Sequence, residues 1–194
     1  SPGDTVIVCQ NGVFGGRMKE NVERCGGTAI MVEDEWGKTI DPAKVEATIA
    51  RLRELGADAD GCVADVRDYD AVSNAVSQSV ARFGPLDVVV SGAAGNFPCL
   101  AKKMSSNAFR AVMEIDVLGT HHVMHAVYPH LKKPGASIIN VSSPHSEVAL
   151  IGQAHVCAAK AGIDQITKTL ALEWGPEGIR IDSVLPGPIR GSGG

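Results

Sequence analysis

No apolar run in this chain approaches the roughly 20 residues that a membrane-spanning helix needs. No charged-then-apolar leader precedes the first predicted strand. Both absences predict a cytoplasmic protein that neither crosses a membrane nor carries a secretion signal. Positive charge is not in excess: 18 Lys and Arg stand against 22 Asp and Glu, a net charge of −4. That balance argues against a nucleic-acid partner held by phosphate contacts. No Cys-x-x-Cys pair occurs. The five cysteines (Cys9, Cys25, Cys62, Cys99 and Cys157) are odd in number and scattered, which favours free thiols in a reducing compartment over a disulfide framework. Tyrosine is scarce as well, with only Tyr69 and Tyr128 in the chain.

What is present is apolar and periodic. With 194 residues, 44% hydrophobic and 21% charged, the chain can bury one core and is expected to form a single domain over 1–194. Short apolar runs alternate with amphipathic stretches, the pattern of βαβ units and a parallel sheet. Strands are predicted at Thr5–Cys9, Thr28–Val32, Gly61–Ala64, Asp87–Ser91, Ser137–Val141 and Arg180–Leu185. Most are rich in β-branched residues and nearly all apolar, as strands covered on both faces are. Helices are predicted at Phe14–Arg24, Pro42–Leu55, Tyr69–Phe83, Ser105–Leu131 and Ile151–Glu173. Asp41-Pro42 starts the second with a capping side chain and a first-turn proline. Ser105 or Ser106 caps the fourth, and Gly84-Pro85 ends the third. The expected architecture is α/β: a doubly wound, Rossmann-like parallel sheet with helices on both faces. The tail Gly191-Ser-Gly-Gly194 reads as a linker, so the sheet is expected to be truncated after its sixth strand. Ligands of such sheets bind beyond the carboxyl ends of the strands.

The motifs fall at those ends. In order they are Ala64-Asp-Val-Arg67, Ser91-Gly-Ala-Ala-Gly-Asn-Phe97, Ile115-Asp-Val-Leu-Gly-Thr120, Asn140-Val-Ser-Ser143, His155-Val-Cys-Ala-Ala-Lys-Ala-Gly162, Ala171-Leu-Glu-Trp-Gly-Pro176 and Pro186-Gly-Pro-Ile189. Through them residues 53–191 resemble the short-chain dehydrogenase/reductase family, specifically its 2,4-dienoyl-CoA reductase-like branch. The first fifty residues are different. Pro2 to Met18, Trp36-Gly37 and Asp41-Pro42 are similar to a βαβ stretch of class V pyridoxal-phosphate aminotransferases, although that family's Schiff-base lysine and pyridine-facing aspartate have no counterpart. The chain is therefore expected to be a hybrid, with aminotransferase-like residues 1–52 joined to a dehydrogenase-like segment.

The dehydrogenase resemblance implies a nicotinamide dinucleotide, NAD or NADP. A dinucleotide needs a tight turn after the first strand, where backbone N–H groups approach the pyrophosphate. The chain offers Gln10 to Arg17 there: Gly15 matches the family's turn, and Asn11, which tolerates a left-handed backbone, partly replaces its first glycine. Glu33 and Asp34 follow the second strand. They either bind the adenosine ribose hydroxyls, favouring NAD over NADP, or are solvated loop acids. By the resemblance, Asp65 and Val66 meet adenine, and Ser91, Gly92 and Ala93 wall the nicotinamide-side ribose. Pro186 and Gly187 either meet the carboxamide or form an ordinary strand-ending turn.

Hydride transfer needs a proton donor at the developing oxyanion and a cation beside it. The family uses tyrosine as donor, lysine as cation and ribose clamp, and serine to hold the oxygen. Ser143 and Lys160 match the last two, but Val156 occupies the tyrosine's place. Members of the dienoyl-CoA branch place a donor fifteen residues before the lysine, which here is His145, and a histidine titrates in the right range. A solvent-exposed loop histidine is the alternative. Asp116 stands where the wider family keeps an asparagine for a water relay. His121 and His125 have helical i, i+4 spacing, but without a third ligand they read as helix-surface residues and no metal is expected. Met113, Val117, Met124 and Val127 form an apolar stripe, either core or the surface of a homo-oligomer. The implied activity is hydride transfer between a nicotinamide cofactor and an enoyl- or dienoyl-CoA or related carbonyl, with acyl-CoA as substrate. The alternatives are an inactive, truncated hybrid that at most binds dinucleotide and, further off, a pyridoxal-phosphate protein.

Overall fold

The computed structural model describes residues 5–10, 28–33 and 42–187. The predicted helix Phe14–Arg24 and the tail at Gly191–Gly194 lie outside them. The chain divides into two compact units. In the first, β1 (Thr5–Gln10) and β2 (Thr28–Glu33) pair in parallel, from Thr5 opposite Thr28 to Gln10 opposite Glu33. Helix α1 (Pro42–Glu54) lies against both strands and buries Thr48, Ile49 and Leu52. The i, i+1, i+4 spacing of those three is that of one helical stripe.

The second unit, Ala64–Gly187, holds the functional motifs. Its elements are α2 (Tyr69–Phe83), β3 (Val88–Ser91), α3 (Ser106–Met113), α4 (Gly119–Val127), β4 (Ser137–Val141), α5 (Ala154–Trp174) and β5 (Arg180–Val184). The strands form a parallel sheet in the order β3-β4-β5, with Ser91 opposite Asn140 and Asn140 opposite Ser183. Parallel register puts every carboxyl end on one edge. Local chemistry sets the helix ends. Asp68 accepts the Ala71 N–H at 3.1 Å to start α2, and Gly84 ends it with φ of 84°. Ser105 accepts the Ala108 N–H at 3.1 Å to start α3, settling the choice between Ser105 and Ser106.

Strand alternation separates the two faces of this sheet. Ile138 of β4 and Ile181 of β5 are buried with Met124, Val127, Leu131, Ala136 and Ile179, and Val89 packs against them. Val88, Val90 and Val184 project on the other face and are exposed. A second, smaller core joins Val112, Val156 and Ala159, with Phe97, Met113 and Val117 packed on it. Of the stripe, Met124 and Val127 are therefore core, while Met113 and Val117 are half-buried against the smaller one.

Two expectations are corrected. Gly61–Ala64 forms no strand among the described residues; an apolar run becomes a strand only where a neighbour takes its ladder bonds, and here Cys62 and Val63 are exposed. The single helix Ser105–Leu131 is interrupted by a wide π turn at Glu114–Leu118 and closes in a 3₁₀ turn at Tyr128–His130.

The turn into β5 gives one stability prediction. Gly178 has φ of 76°, and a Cβ at this position would clash with the Pro134 Cβ. Gly178→Ala combines a left-handed residue with overpacking, so it should cost roughly 2–4 kcal/mol by chemical denaturation. A loss under 1 kcal/mol would show that the turn relaxes freely.

Candidate active site

The site is built on the carboxyl edge of the second unit's sheet. After β4 the chain runs into Ser142 and Ser143, both almost fully buried. The Ser142 N–H donates to the Val184 carbonyl at 2.9 Å, tying this stretch to β5. Ser143 is extended, with φ of −161°, and it precedes the 3₁₀ turn Pro144–Ser146. That turn brings the His145 Nδ1 to 3.1 Å from the Ser143 Oγ.

Helix α5 supplies the cation. Its buried residues His155, Val156, Ala159, Lys160, Ile163, Asp164 and Thr167 repeat at helical spacing along one stripe, which carries Lys160 into the protein. Lys160 is 6% exposed. Its Nζ donates to the Val141 carbonyl at 3.2 Å and lies 3.4 Å from the Asp116 Oδ2. Asp116 has no exposed surface. The π turn aims it inward, as such irregular turns often do at functional sites, and its Oδ1 accepts the Gly95 N–H at 2.7 Å.

The electrostatics follow from burial. Removal from water pushes the Asp116 carboxyl above the usual range, while the Lys160 ammonium and the Gly95 N–H pull it down without cancelling that effect. Burial and then the charge of Lys160 hold His145 below its ordinary value. Val156, at the tyrosine position, is 3% exposed in the smaller core; no phenol could be placed there without rebuilding that core.

The structure thus brings Ser143, His145, Lys160 and Asp116 together. Of the residues expected at a dinucleotide, Ser91 ends β3 and is buried, Gly92 and Ala93 follow it exposed, and Pro186 and Gly187 follow β5 half-buried. The Asp65 carboxylate takes both the backbone N–H and the guanidinium of Arg67, which hold it at a pKa of about 2. The Val66 carbonyl faces the His122 Nδ1 at 2.9 Å. Asn11, Gly15 and Asp34 lie outside the described residues; Glu33 is seen only as the last residue of β2. His121 and His125 stack on the surface of α4, and His125 meets the Tyr69 hydroxyl at 2.9 Å. Among the described residues no group of three or more His, Cys, Asp or Glu side chains can hold a metal ion, and no helix is long and apolar enough to cross a membrane.

Sequence reasoning missed the Gly95 N–H as a partner of Asp116, and it missed His155. Only its place on the α5 stripe marked that histidine as buried.

Comparison with known proteins identifies the family. A family profile described as short chain dehydrogenase matches residues 37–193. The peroxisomal 2,4-dienoyl-CoA reductase of Saccharomyces cerevisiae is 41% identical over 158 residues, 79% of this chain and 54% of that protein. The peroxisomal 2,4-dienoyl-CoA reductase of Rattus norvegicus is 38% identical over 184 residues, 93% of this chain and 61% of that protein. Among solved structures, carveol dehydrogenase from Mycobacterium avium in complex with NAD has a TM-score of 0.78 at 25% identity, covering 98% of this chain and 73% of that one. The chain spans a little over half the length of the curated relatives it matches. The aminotransferase reading of residues 1–52 finds no support. The rat reductase aligns over 93% of the chain, which takes in most of that segment. A βαβ pattern is common to all doubly wound sheets, and local similarity there did not discriminate between families.

Proposed function

The chain belongs to the short chain dehydrogenase family, and on that premise we propose that it reduces an enoyl- or dienoyl-CoA thioester with a nicotinamide cofactor. One observation carries the reading: Ser143, His145, Lys160 and Asp116 converge at the carboxyl end of β4 within the hydrogen bonds and the ion pair given above. The kinship to reductases named for 2,4-dienoyl-CoA supports the substrate class.

The residues present fit a dinucleotide. A lysine ammonium has three N–H donors; Val141 engages one at Lys160, the Asp116 carboxylate pairs with its charge, and a remaining donor suits a ribose hydroxyl. Gly92 and Ala93 leave the backbone after β3 open to close approach. Asp65 and Val66 would flank the adenine, and Pro186 and Gly187 the carboxamide. Asn11 and Gly15 would serve the pyrophosphate. Glu33 and Asp34 favour NAD over NADP, because carboxylates pair with ribose hydroxyls and repel a 2′-phosphate. When bound, the reduced cofactor supplies the hydride.

The chain's own residues do the rest. The Ser143 hydroxyl donates to the thioester oxygen as negative charge develops on it. Lys160 holds the ribose and adds positive potential beside that oxygen. Asp116 fixes Lys160. His145 delivers the proton that completes reduction, and its depressed pKa makes it a stronger acid than a free imidazole. Preorganised donors of this kind stabilise the transition state because they need not reorient as charge moves. The free thiols of Cys62, Cys99 and Cys157 suit a reducing compartment, and we expect the working form to be a homo-oligomer.

Calorimetric titration with NADH and NADPH, followed by loss of NADH absorbance on adding a 2,4-dienoyl-CoA, tests the proposal. Tighter binding of NADH and turnover of the thioester are expected. Absence of binding by either cofactor at millimolar concentration removes the reading.

A further inference from the structure

His155 is a fully buried titratable group that the proposed reaction leaves unused. Its ring lies 4.4 Å from that of Phe97, centroid to centroid, and neither ring nitrogen has a hydrogen-bond partner. An imidazole carries at least one N–H, and a buried donor left unpaired costs about 1–3 kcal/mol. A residue whose only task was filling space would carry no such cost.

The segment Gly95-Asn96-Phe97 touches His155 through the Phe97 ring and Asp116 through the Gly95 N–H. Asn96 Oδ1, next to Phe97, and Gln153 Oε1, two residues before His155, are likewise buried and unpartnered. The loops bearing them are joined by the Cys99 N–H donating to the Gly152 carbonyl at 2.9 Å. Gly95, the neighbour of Asn96, donates its N–H to Asp116 Oδ1. Asp116 Oδ2 has Lys160 Nζ at 3.4 Å but no hydrogen bond of good geometry. Buried polar atoms without a direct partner are normally bridged by ordered water, which transmits nearly the full effect of a direct bond.

We propose that His155 is a positioning residue for Asp116: through a bridging water it donates to Asp116 Oδ2, keeping the carboxylate ionised and thereby holding Lys160 in place. His155, like Lys160, acts to favour the ionised Asp116 carboxyl. Among the described residues, Lys160 and His155 of α5 are the titratable groups that act on Asp116, and the loop after β3 adds the Gly95 N–H. Glu114, on the same π turn, acts on Arg67, and His145 responds to Lys160. The consequence for catalysis rests on the reductase reading, but the arrangement itself does not.

The test therefore uses the protein without cofactor or substrate. Carbon-13 NMR follows the titration of Asp116, assigned by difference from Asp116→Asn. In His155→Leu, Asp116 should bind its proton about tenfold more tightly than in wild type, the effect of roughly 1.4 kcal/mol. His155→Gln, which keeps a donor, should recover much of the difference. An unchanged Asp116 titration in a folded His155→Leu protein overturns the proposal. Should that variant not fold, His155→Met, more adaptable in an irregular site, is read by the same two outcomes. Unchanged titration with normal turnover removes His155 and leaves the reductase reading intact. A tenfold change without cofactor binding does the reverse.

Discussion

Lys160→Met should abolish reductase turnover and yield a protein whose stability deficit widens as pH rises. Both effects come from one ammonium with two duties. In the proposed reaction Lys160 holds the cofactor ribose and adds positive potential at the thioester oxygen; losing a preorganised electrostatic group of this kind costs at least about a hundredfold in rate. In the fold, Lys160 is the counter-ion of a carboxylate with no exposed surface. Removing one partner of a buried pair costs about 3–5 kcal/mol while the other stays charged, and Asp116 can escape part of that by taking a proton. The sign follows from linkage. Asp116 already sits above its ordinary value, so its contribution is most favourable at low pH and is lost as pH rises through the folded-state value. Removing Lys160 moves that value further up and widens the window. Thermal unfolding of the variant should therefore approach wild type in mild acid and fall progressively below it toward alkaline pH. Methionine preserves length and packing, so a deficit independent of pH would mean that Asp116 does not depend on Lys160 for its charge.

The elements legible in the sequence were those fixed by local chemistry. Tyr69–Phe83 is bounded by Asp68 and Gly84, a capping side chain and a residue with positive φ, and it forms over the residues expected. Ser137–Val141 is an apolar run in the middle of the second unit's sheet and likewise matches. Helix α5 begins three residues later than expected because Gly152 has φ of 79° and Ile151 is exposed in the turn before it. The π turn at Glu114–Leu118 has no local signal. Its residues suit a helix, and what widens the turn is tertiary: Asp116 is drawn to the Gly95 N–H and to Lys160, twenty-one and forty-four residues away. The site divides in the same way. Ser143 and Lys160 were singled out by the family resemblance, one following β4 and the other lying within α5. His155 was not, since an imidazole on a buried stripe looks the same whether it packs or positions.

The Ser143–His145 pair decides where the proton comes from. His145→Asn keeps a nitrogen close to the position that meets the Ser143 Oγ at 3.1 Å, but it removes a titrating group. If His145 is the donor, the variant should lose about 10²–10⁴ in kcat while the KM for the acyl-CoA changes little, because Ser143 still holds the oxygen. The pH profile should change with it. Burial and the Lys160 charge place His145 below its ordinary value near 6.5, so the wild-type rate should fall as pH rises through that lower value, and the variant should lack this limb. Stability should move in the opposite direction. A histidine kept neutral by the fold contributes fully above its ordinary value and loses that contribution as pH falls through the folded-state one. Wild type should therefore weaken on acidification more than His145→Asn does. Retention of the acid-favoured limb in the variant would assign proton delivery to water, leaving Ser143 and Lys160 to stabilise the oxyanion.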